Sequence, residues 1–505
     1  MNMDFSAILE ESASRHADKL AVLTSERSLT YSALADKVSR MAGHLADAGF
    51  SPGDRVAMLL PNDLELVICL LAATRAELIA VPIATGFATP QIDYILRNSG
   101  ARVLVTTPRL LEKVSKEARS NLESLATTEP CSGAEHLGEW LAHETQSPIR
   151  TFRDPIGLLV YTSGTTSRPK GVAHTQKRMS HRVDLFVQEM GLSSEDATIG
   201  TVEVGRPMFL LGQLLPMLRV GGQIHLLPNA NAEKFWAFYG QARPTYMLTP
   251  SGIGTQLLEH PEALSADHGN LRFWITGGDK APTSLFGRMK KVAGKPLLEL
   301  CGMTETGFYA INPHRGPIKQ GSIGLAMRGV AVRLVDESRA DVPTGKTGNL
   351  LVRTSDMMLG YWNDTLLTHR SLHDGWLETG DLVMADEDGY LWFMGRAKNM
   401  IDRGGFKVAP PMVEEALESH PSVDSAIVVG ISDPQFGQLP FAFYQLRPGA
   451  DDPGANTLLA WAAERLEPQA LPVGFTRMEN WPRTAQGKID RSRLVWIAEA
   501  GGQVL

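Results

Sequence analysis

Cysteine is scarce in this chain. Its three cysteines, Cys69, Cys131 and Cys301, lie far apart in 505 residues, so the paired spacing of a zinc site or a redox dithiol is missing and a disulfide framework is not expected. Long apolar runs are missing as well. The longest, Leu64 to Ala73, contains Glu65 and is followed by Arg75, whereas a bilayer span needs roughly 20 apolar residues. There is no excess of positive charge: a net charge of −7 gives no reason to expect nucleic acid as a partner. The first residues, Met1-Asn2-Met3-Asp4-Phe5, carry no basic segment ahead of an apolar stretch, so no secretory signal is read there. A cytoplasmic protein without membrane attachment is expected. No internal repeat or low-complexity tract is present.

What is there suits a folded enzyme. The hydrophobic content of 43% is ordinary, and the length allows roughly three domains of about 150 residues, or one large and one small. Helical patterns (Thr30 to Ala48, Leu64 to Arg75) alternate with short apolar strands (Asp54 to Leu60, Leu78 to Pro82, Val103 to Thr106). That alternation predicts an α/β fold with largely parallel sheets. Glu112 to Ser147 is polar and irregular and reads as a surface excursion. After Gly395 the texture changes to a small α+β pattern: a helix at Pro411 to Ser419, strands at Ser425 to Gly430 and Phe441 to Leu446, and a helix at Thr457 to Leu466.

The most informative segment is Thr162-Ser163-Gly164-Thr165-Thr166-Ser167-Arg168-Pro169-Lys170-Gly171, which follows the buried-strand pattern of Ile156 to Val160. Its glycines let backbone N–H groups turn toward an anion, its hydroxyls add donors, and Lys170 adds a mobile positive charge. It reads as a phosphate-handling loop. The P-loop of nucleotide triphosphatases is excluded by order, because there the lysine follows the glycine.

The loop resembles the Thr-Ser-Gly-Thr-Thr-Gly-x-Pro-Lys-Gly signature of the adenylate-forming superfamily: acyl-CoA synthetases, luciferases and peptide-synthetase adenylation domains. Only Ser167 departs from it, in place of the second glycine. Further segments match that family in order: Thr276-Gly277-Gly278-Asp279, Cys301-Gly302-Met303-Thr304-Glu305, Gly375-Trp376-Leu377-Glu378-Thr379-Gly380-Asp381, Gly395-Arg396-Ala397-Lys398 and Pro482-Arg483-Thr484-Ala485-Gln486-Gly487-Lys488. The resemblance is strongest to free-standing acyl- or aryl-CoA ligases.

The resemblance implies a large N-terminal domain of layered β-sheets and helices, residues 1–397, which binds ATP and the acid. A small mobile α+β C-terminal domain, residues 398–505, would turn about Lys398. It implies that Mg-ATP activates a carboxylic acid to an acyl-adenylate, with coenzyme A as acceptor or, in a related branch, an amine or amino acid. A non-catalytic nucleotide-binding protein is the remaining alternative, disfavoured by the retention of Lys170, Glu305, Asp381 and Lys488. Lys488 would bridge the substrate carboxylate and the α-phosphate, Glu305 would ligate Mg²⁺, and Thr304 and Lys170 would bind phosphate. Thr162, Ser163, Gly164, Thr165 and Thr166 would wrap the phosphates. Gly278, Asp279, Cys301, Gly302 and Met303 would flank the adenine, and Asp381 with Arg396 would take the ribose. Gly404 and Gly405 would approach pantetheine. Taken singly, Asp381 reads equally as a turn residue, Lys398 and Lys488 as solvated lysines, and Gly404-Gly405 as a plain tight turn.

Several positions depart from the family pattern: Cys301 replaces the aromatic residue that stacks on adenine, Gln176 and Leu210 stand where many members have histidine, and Met412 replaces a glutamate. The acid pocket is expected from Phe209, Leu210, Gly277 and Gly302, in stretches apolar enough to favour an aryl, alicyclic or medium aliphatic acid. Arg206 could pair with a second carboxylate, and Glu203 could serve an amine as base, although a solvated surface residue is the favoured reading of each. Oligomeric state is not legible, and a homodimer is left open.

Overall fold

The computed structural model describes residues 5–144, 156–162, 168–202, 206–227, 231–279, 281–484 and 488–501. Two helices show how the sequence dictates its elements. Tyr31–Asp47 starts where the Thr30 hydroxyl accepts from the Ala33 N–H, which meets one of the donors a helix start leaves open. Leu64–Arg75 is buried at every residue except Glu65, as its nearly all-round apolar sequence requires.

An eight-stranded sheet forms the first layer, in the order Gly360–Tyr361, Lys170–Thr175, Ile156–Thr162, Ile79–Pro82, Arg55–Leu59, Val103–Thr106, Ser124–Thr127, Glu135–His136. It is parallel from Ile156–Thr162 onward, and the first two pairings are antiparallel. The expected surface excursion at Glu112 to Ser147 is corrected here. Ser124–Thr127 and Glu135–His136 extend this sheet, and the following helix, Leu137–Ala142, inserts Trp140 into the core. Those strands are too short, and their patterns too mixed, to stand out from a polar background.

Two further sheets complete the α/β body. One pairs Ala197–Gly200, Gln223–Leu226, Leu20–Leu23 and Ser28–Thr30. The other runs Tyr246–Pro250, Phe273–Gly277, Leu297–Met303, Gly307–Ile311, Leu325–Ala326. The expectation of largely parallel sheets fails after residue 300. Leu297–Met303 and Gly307–Ile311 pair antiparallel, and a fourth sheet (Val330–Val335, Thr347–Thr354, Trp376–Ala385, Leu372–His373, Leu391–Arg396) is antiparallel throughout. The stretches between Met303 and Gly307 and between Ala385 and Leu391 are too short for the crossover that parallel neighbours need.

Residues 401–477 hold a fifth sheet with its own apolar core around Val413, Leu417, Val428 and Leu458. Its hairpin Gly437–Leu446 with Val423–Asp433 is antiparallel, and Phe475–Arg477 adds parallel to one edge. This part meets the body through Arg288 Nη2 and Asp424 Oδ1 at 2.6 Å, and through Arg483. A Cβ built on Gly252 would lie 2.5 Å from Arg483 Nη1.

Candidate active site

The strands that flank the phosphate-loop segment pair antiparallel. Thr162 ends one strand and pairs with Lys170 on the next; Ser163, Gly164, Thr165, Thr166 and Ser167 lie outside the described residues, as does Glu203. Lys170 Nζ stands 5.7 Å from the centre of the Tyr361 ring. The Tyr361 hydroxyl in turn donates to Glu305 Oε1 at 2.7 Å. Glu305 is 8% exposed, and burial, followed by the Glu305 charge, raises the Tyr361 phenol above its ordinary range. A proton therefore stays on Tyr361 and fixes one face of the carboxylate. Arg178 steadies the adjoining loop: its Nη1 donates to the Met357 carbonyl at 2.7 Å, and the Met358 N–H donates to the Glu305 carbonyl at 2.8 Å.

The fourth sheet carries Asp381 and Arg396 directly opposite each other. Asp381 is 1% exposed. Its Oδ2 accepts from the Tyr309 hydroxyl at 2.9 Å, while Arg396 Nε lies 2.6 Å from Oδ1. The Arg396 contact is an ion pair without hydrogen-bond alignment, and among the described residues Oδ1 has no hydrogen-bond partner. Burial raises the Asp381 carboxyl, and Arg396, Tyr309, Lys488 and Lys398 oppose that rise. Cys301 Sγ lies 2.9 Å from the Tyr309 hydroxyl oxygen. Because the phenol donates to Asp381, the thiol donates to the phenol. Burial pushes the Cys301 thiol up to about 12, so it is neutral and no nucleophile at physiological pH.

Backbone packing explains the two inner glycines. A Cβ on Gly277 would collide with the Leu300 carbonyl, and one on Gly302 would sit 2.6 Å from the Gly307 carbonyl oxygen. Gly278 stands beside Met208, whose Cε is 3.4 Å from the Cβ position. Met303 and Thr304 are half-buried on the way to Glu305. Phe209 and Leu210, by contrast, are buried in the main apolar core, Phe209 with its ring against Gly200. Gln176 is equally withdrawn, donating to the Thr74 carbonyl at 2.9 Å.

The C-terminal residues converge on the same place. Thr484 N–H donates to the Lys488 carbonyl and Asp490 N–H to the Pro482 carbonyl, each at 2.8 Å, so Lys488 rides a narrow hairpin whose residues 485–487 lie outside the described ones. Arg491 anchors it, donating to the Val428 carbonyl at 2.7 Å and to Glu414 Oε1 at 2.8 Å. Asp279 reaches the cleft surface, yet enough protein surrounds its carboxyl to raise its pKa against the opposing fields of Lys488, Arg491, Arg483 and Arg396. Lys398 is lowered by desolvation and then by Arg396, Lys488 and Lys170. Lys488 and Arg396 thus act on both Asp381 and Asp279, and Arg396, Lys488 and Lys170 act on Lys398. Gly404 and Gly405 do not join them in these contacts. They are the exposed turn between Ile401–Arg403 and Phe406–Val408, with φ of 61° and 90°.

Sequence reading missed Tyr309, Tyr361 and Arg178. Two of them sit in strands whose apolar neighbours hide them; a tyrosine inside the run Gly307-Phe308-Tyr309-Ala310-Ile311, just past a charged motif, was the available signal.

Comparison with known proteins fits this geometry. The family model described as AMP-binding enzyme matches residues 9–362, and the AMP-binding enzyme C-terminal domain matches residues 412–488. A feruloyl-CoA synthase from an Amycolatopsis species is 32% identical over 468 residues, covering 91% of this chain and 92% of its own. The crystal structure of an anthranilate CoA ligase in complex with anthranoyl-AMP superposes with a TM-score of 0.92 at 27% identity, covering 99% of this chain and 98% of its own. An amide bond synthetase from Marinactinospora thermotolerans superposes with a TM-score of 0.87 at 27% identity, covering 98% and 99%. No described helix is long and apolar enough to cross a membrane.

Proposed function

Because this chain belongs to the AMP-binding enzyme family, we propose that it is an ATP-dependent acid–CoA ligase working through an acyl-adenylate. A carboxylate is a poor electrophile, since its leaving group would be oxide. Attack of its oxygen on the ATP α-phosphorus breaks the bond to pyrophosphate and makes AMP the next leaving group. Attack of the coenzyme A thiolate on the acyl carbon then forms the thioester and releases AMP.

One observation carries this reading above the others: the buried carboxylate of Asp381, whose Oδ1 has no hydrogen-bond partner among the described residues, lies in the electrostatic field of the C-terminal Lys488. Asp381 takes the ribose hydroxyls, with Tyr309 and Arg396 fixing its orientation. Lys488 sets a point charge between the acid and the α-phosphate, which is positioning plus charge neutralisation rather than covalent chemistry. Lys170 and Thr304 bind phosphate oxygens together with the loop from Thr162. Gly278, Asp279, Cys301, Gly302 and Met303 line the base, with the Cys301 thiol in place of a stacking ring.

Glu305 suits Mg²⁺. No described group of three metal-ligating side chains is present, but Mg²⁺ on a nucleotide needs only one or two protein carboxylates, and Glu305 has one oxygen held by Tyr361 and the other available. Bound there, the ion would neutralise charge developing on the phosphates.

Residues 398–505 act as a unit turning about Lys398, which withdraws Lys488 and brings Gly404 and Gly405 toward the adenylate. Met208 beside Gly278 and Phe308 beside Gly302 make the acid wall apolar, suited to an aryl, alicyclic or medium aliphatic acid. Phe209 and Leu210 support that wall from the core behind it.

A second reading, an amide ligase passing the acyl group to an amine, rests on the apolar Leu210 at a position where many CoA ligases carry histidine, and on the likeness to an amide bond synthetase. Product analysis by mass spectrometry separates the two. With ATP, Mg²⁺, a panel of such acids, coenzyme A and mixed amino acids present together, acyl-CoA is expected. N-acyl amide formed in its place moves the chain to the second reading.

A further inference from the structure

The body helix Thr283–Ala293 carries an arginine at the seam with the C-terminal part. Arg288 Nη2 lies 2.6 Å from Asp424 Oδ1, and its Nη1 pairs with Glu259 Oε1 at the end of the body helix Ser251–Glu259. The side chains of Arg288 and Asp424 are 18% and 9% exposed. Their charges are therefore shielded from most of the solvent and attract each other more strongly than those of an open surface pair.

Asp424 is tied to the hairpin that carries Lys488. It lies in the strand Val423–Asp433, next to Ser425, whose hydroxyl accepts from Trp481 Nε1 at 3.2 Å just ahead of one arm of the hairpin. Further along the strand, the Val428 carbonyl accepts from Arg491 Nη1 at 2.7 Å at the foot of the other arm. One strand thus holds both ends of the hairpin, and a position fixed at Asp424 is passed to Lys488. The helix Ser251–Glu259 meets the hairpin as well, since the space a Cβ on Gly252 would need is taken by Arg483. Arg288, through Glu259 and Asp424, braces that helix against the strand.

The contact is also built to open. If the C-terminal part turns away, Arg288 keeps Glu259 as its partner and Asp424 passes into water, so neither side strands an unpaired charge in the interior. A pair of this kind can form and break within each turnover.

We propose that Arg288 is a positioning residue for Lys488: its ion pair with Asp424 latches the C-terminal part in the adenylating arrangement and breaks before acyl transfer. This rests on the acid-ligase reading.

The test assays the two half-reactions separately in wild type, Arg288→Leu, Arg288→Lys, Asp424→Asn and the double variant Arg288→Leu/Asp424→Asn. Each of Arg288→Leu and Asp424→Asn is expected to slow acid-dependent pyrophosphate release tenfold or more. KM for ATP should change less than threefold, because the groups for ribose and phosphate stand on the body. Thioester formation from supplied acyl-adenylate should be unchanged or faster, which also shows that the variants are folded. Arg288→Lys retains the charge and should lose less than Arg288→Leu. The double variant should lose little more than the worse single one, as for two groups acting as a pair. Pyrophosphate release within twofold of wild type in both single variants overturns the proposal, as do equal losses in the two half-reactions or losses that multiply in the double variant. If no acid supports pyrophosphate release by wild type, the acid-ligase reading itself fails, and small-angle X-ray scattering of the same proteins decides for the latch. A wild-type profile that matches the present arrangement and an Asp424→Asn profile that departs from it uphold the latch, and identical profiles remove it.

Discussion

Asp381 is 1% exposed and held by Tyr309 and Arg396, whereas Gly405 stands exposed at a hairpin tip where an added Cβ would meet nothing within 4 Å. In the proposed reaction the ribose is held through both half-reactions, and its proposed acceptor, Asp381, stands in the middle of an antiparallel sheet. Coenzyme A and the adenylating lysine are each needed in only one half-reaction. The groups proposed for these roles, Lys488 and Gly405, belong to the C-terminal part, which meets the body at contacts such as Arg288 with Asp424. The proposed function thus places preorganisation where binding is constant and motion where the chemistry alternates.

Substitutions on the two sides sharpen that contrast. On the buried side, Asp381→Asn removes a charged acceptor for two hydroxyls. At about 1.5 kcal/mol or more for each such hydrogen bond, KM for ATP should rise on the order of 100-fold, read from pyrophosphate release. Because burial raises the Asp381 pKa, the carboxylate is lost at a higher pH than for an exposed aspartate. Affinity for ATP should therefore decline on acidification while ordinary carboxylates are still ionised, and Asp381→Asn should abolish that limb.

On the exposed side, Gly405→Val places a β-branched residue at φ 90°. Strain on the order of 1–3 kcal/mol should slow thioester formation from supplied acyl-adenylate about tenfold, measured by single turnover, with a much smaller change in pyrophosphate release. Equal losses in both steps would break the contrast. The smallest effect is expected from Tyr309→Phe. It leaves Asp381 ionised but without one partner, a cost of about 1 kcal/mol and a KM for ATP roughly fivefold higher, with little change in kcat.

Much of this was legible in the sequence, for definable reasons. The helix Leu64–Arg75 and the strand Val103–Thr106 were expected with the bounds observed, because continuous apolar runs flanked by polar residues allow few readings. Ser124–Thr127 and Glu135–His136 were not, since an edge strand of two to four residues with mixed polarity has no periodicity to detect. In the site, Asp381, Arg396, Glu305 and Lys488 stand in charged, glycine-containing motifs that a reader notices. Tyr309 and Tyr361 act through pairings made only once segments distant in sequence lie side by side, as Tyr309 and Asp381 do. The burial of Phe209 and Leu210 also depended on tertiary packing, because an apolar residue in a pocket-forming segment can face either the pocket or the core.

The central claim is that Lys488 serves adenylation and leaves before acyl transfer. It is tested by assaying Lys488→Ala for the two half-reactions separately, with acid-dependent pyrophosphate release in one and thioester formation from supplied acyl-adenylate and coenzyme A in the other. A loss of 100-fold or more in the first against a loss of less than about threefold in the second is the predicted result, as expected for a charge stabilisation worth about 3 kcal/mol or more in a single transition state. Pyrophosphate release that survives the substitution, or equal losses in the two steps, would contradict it.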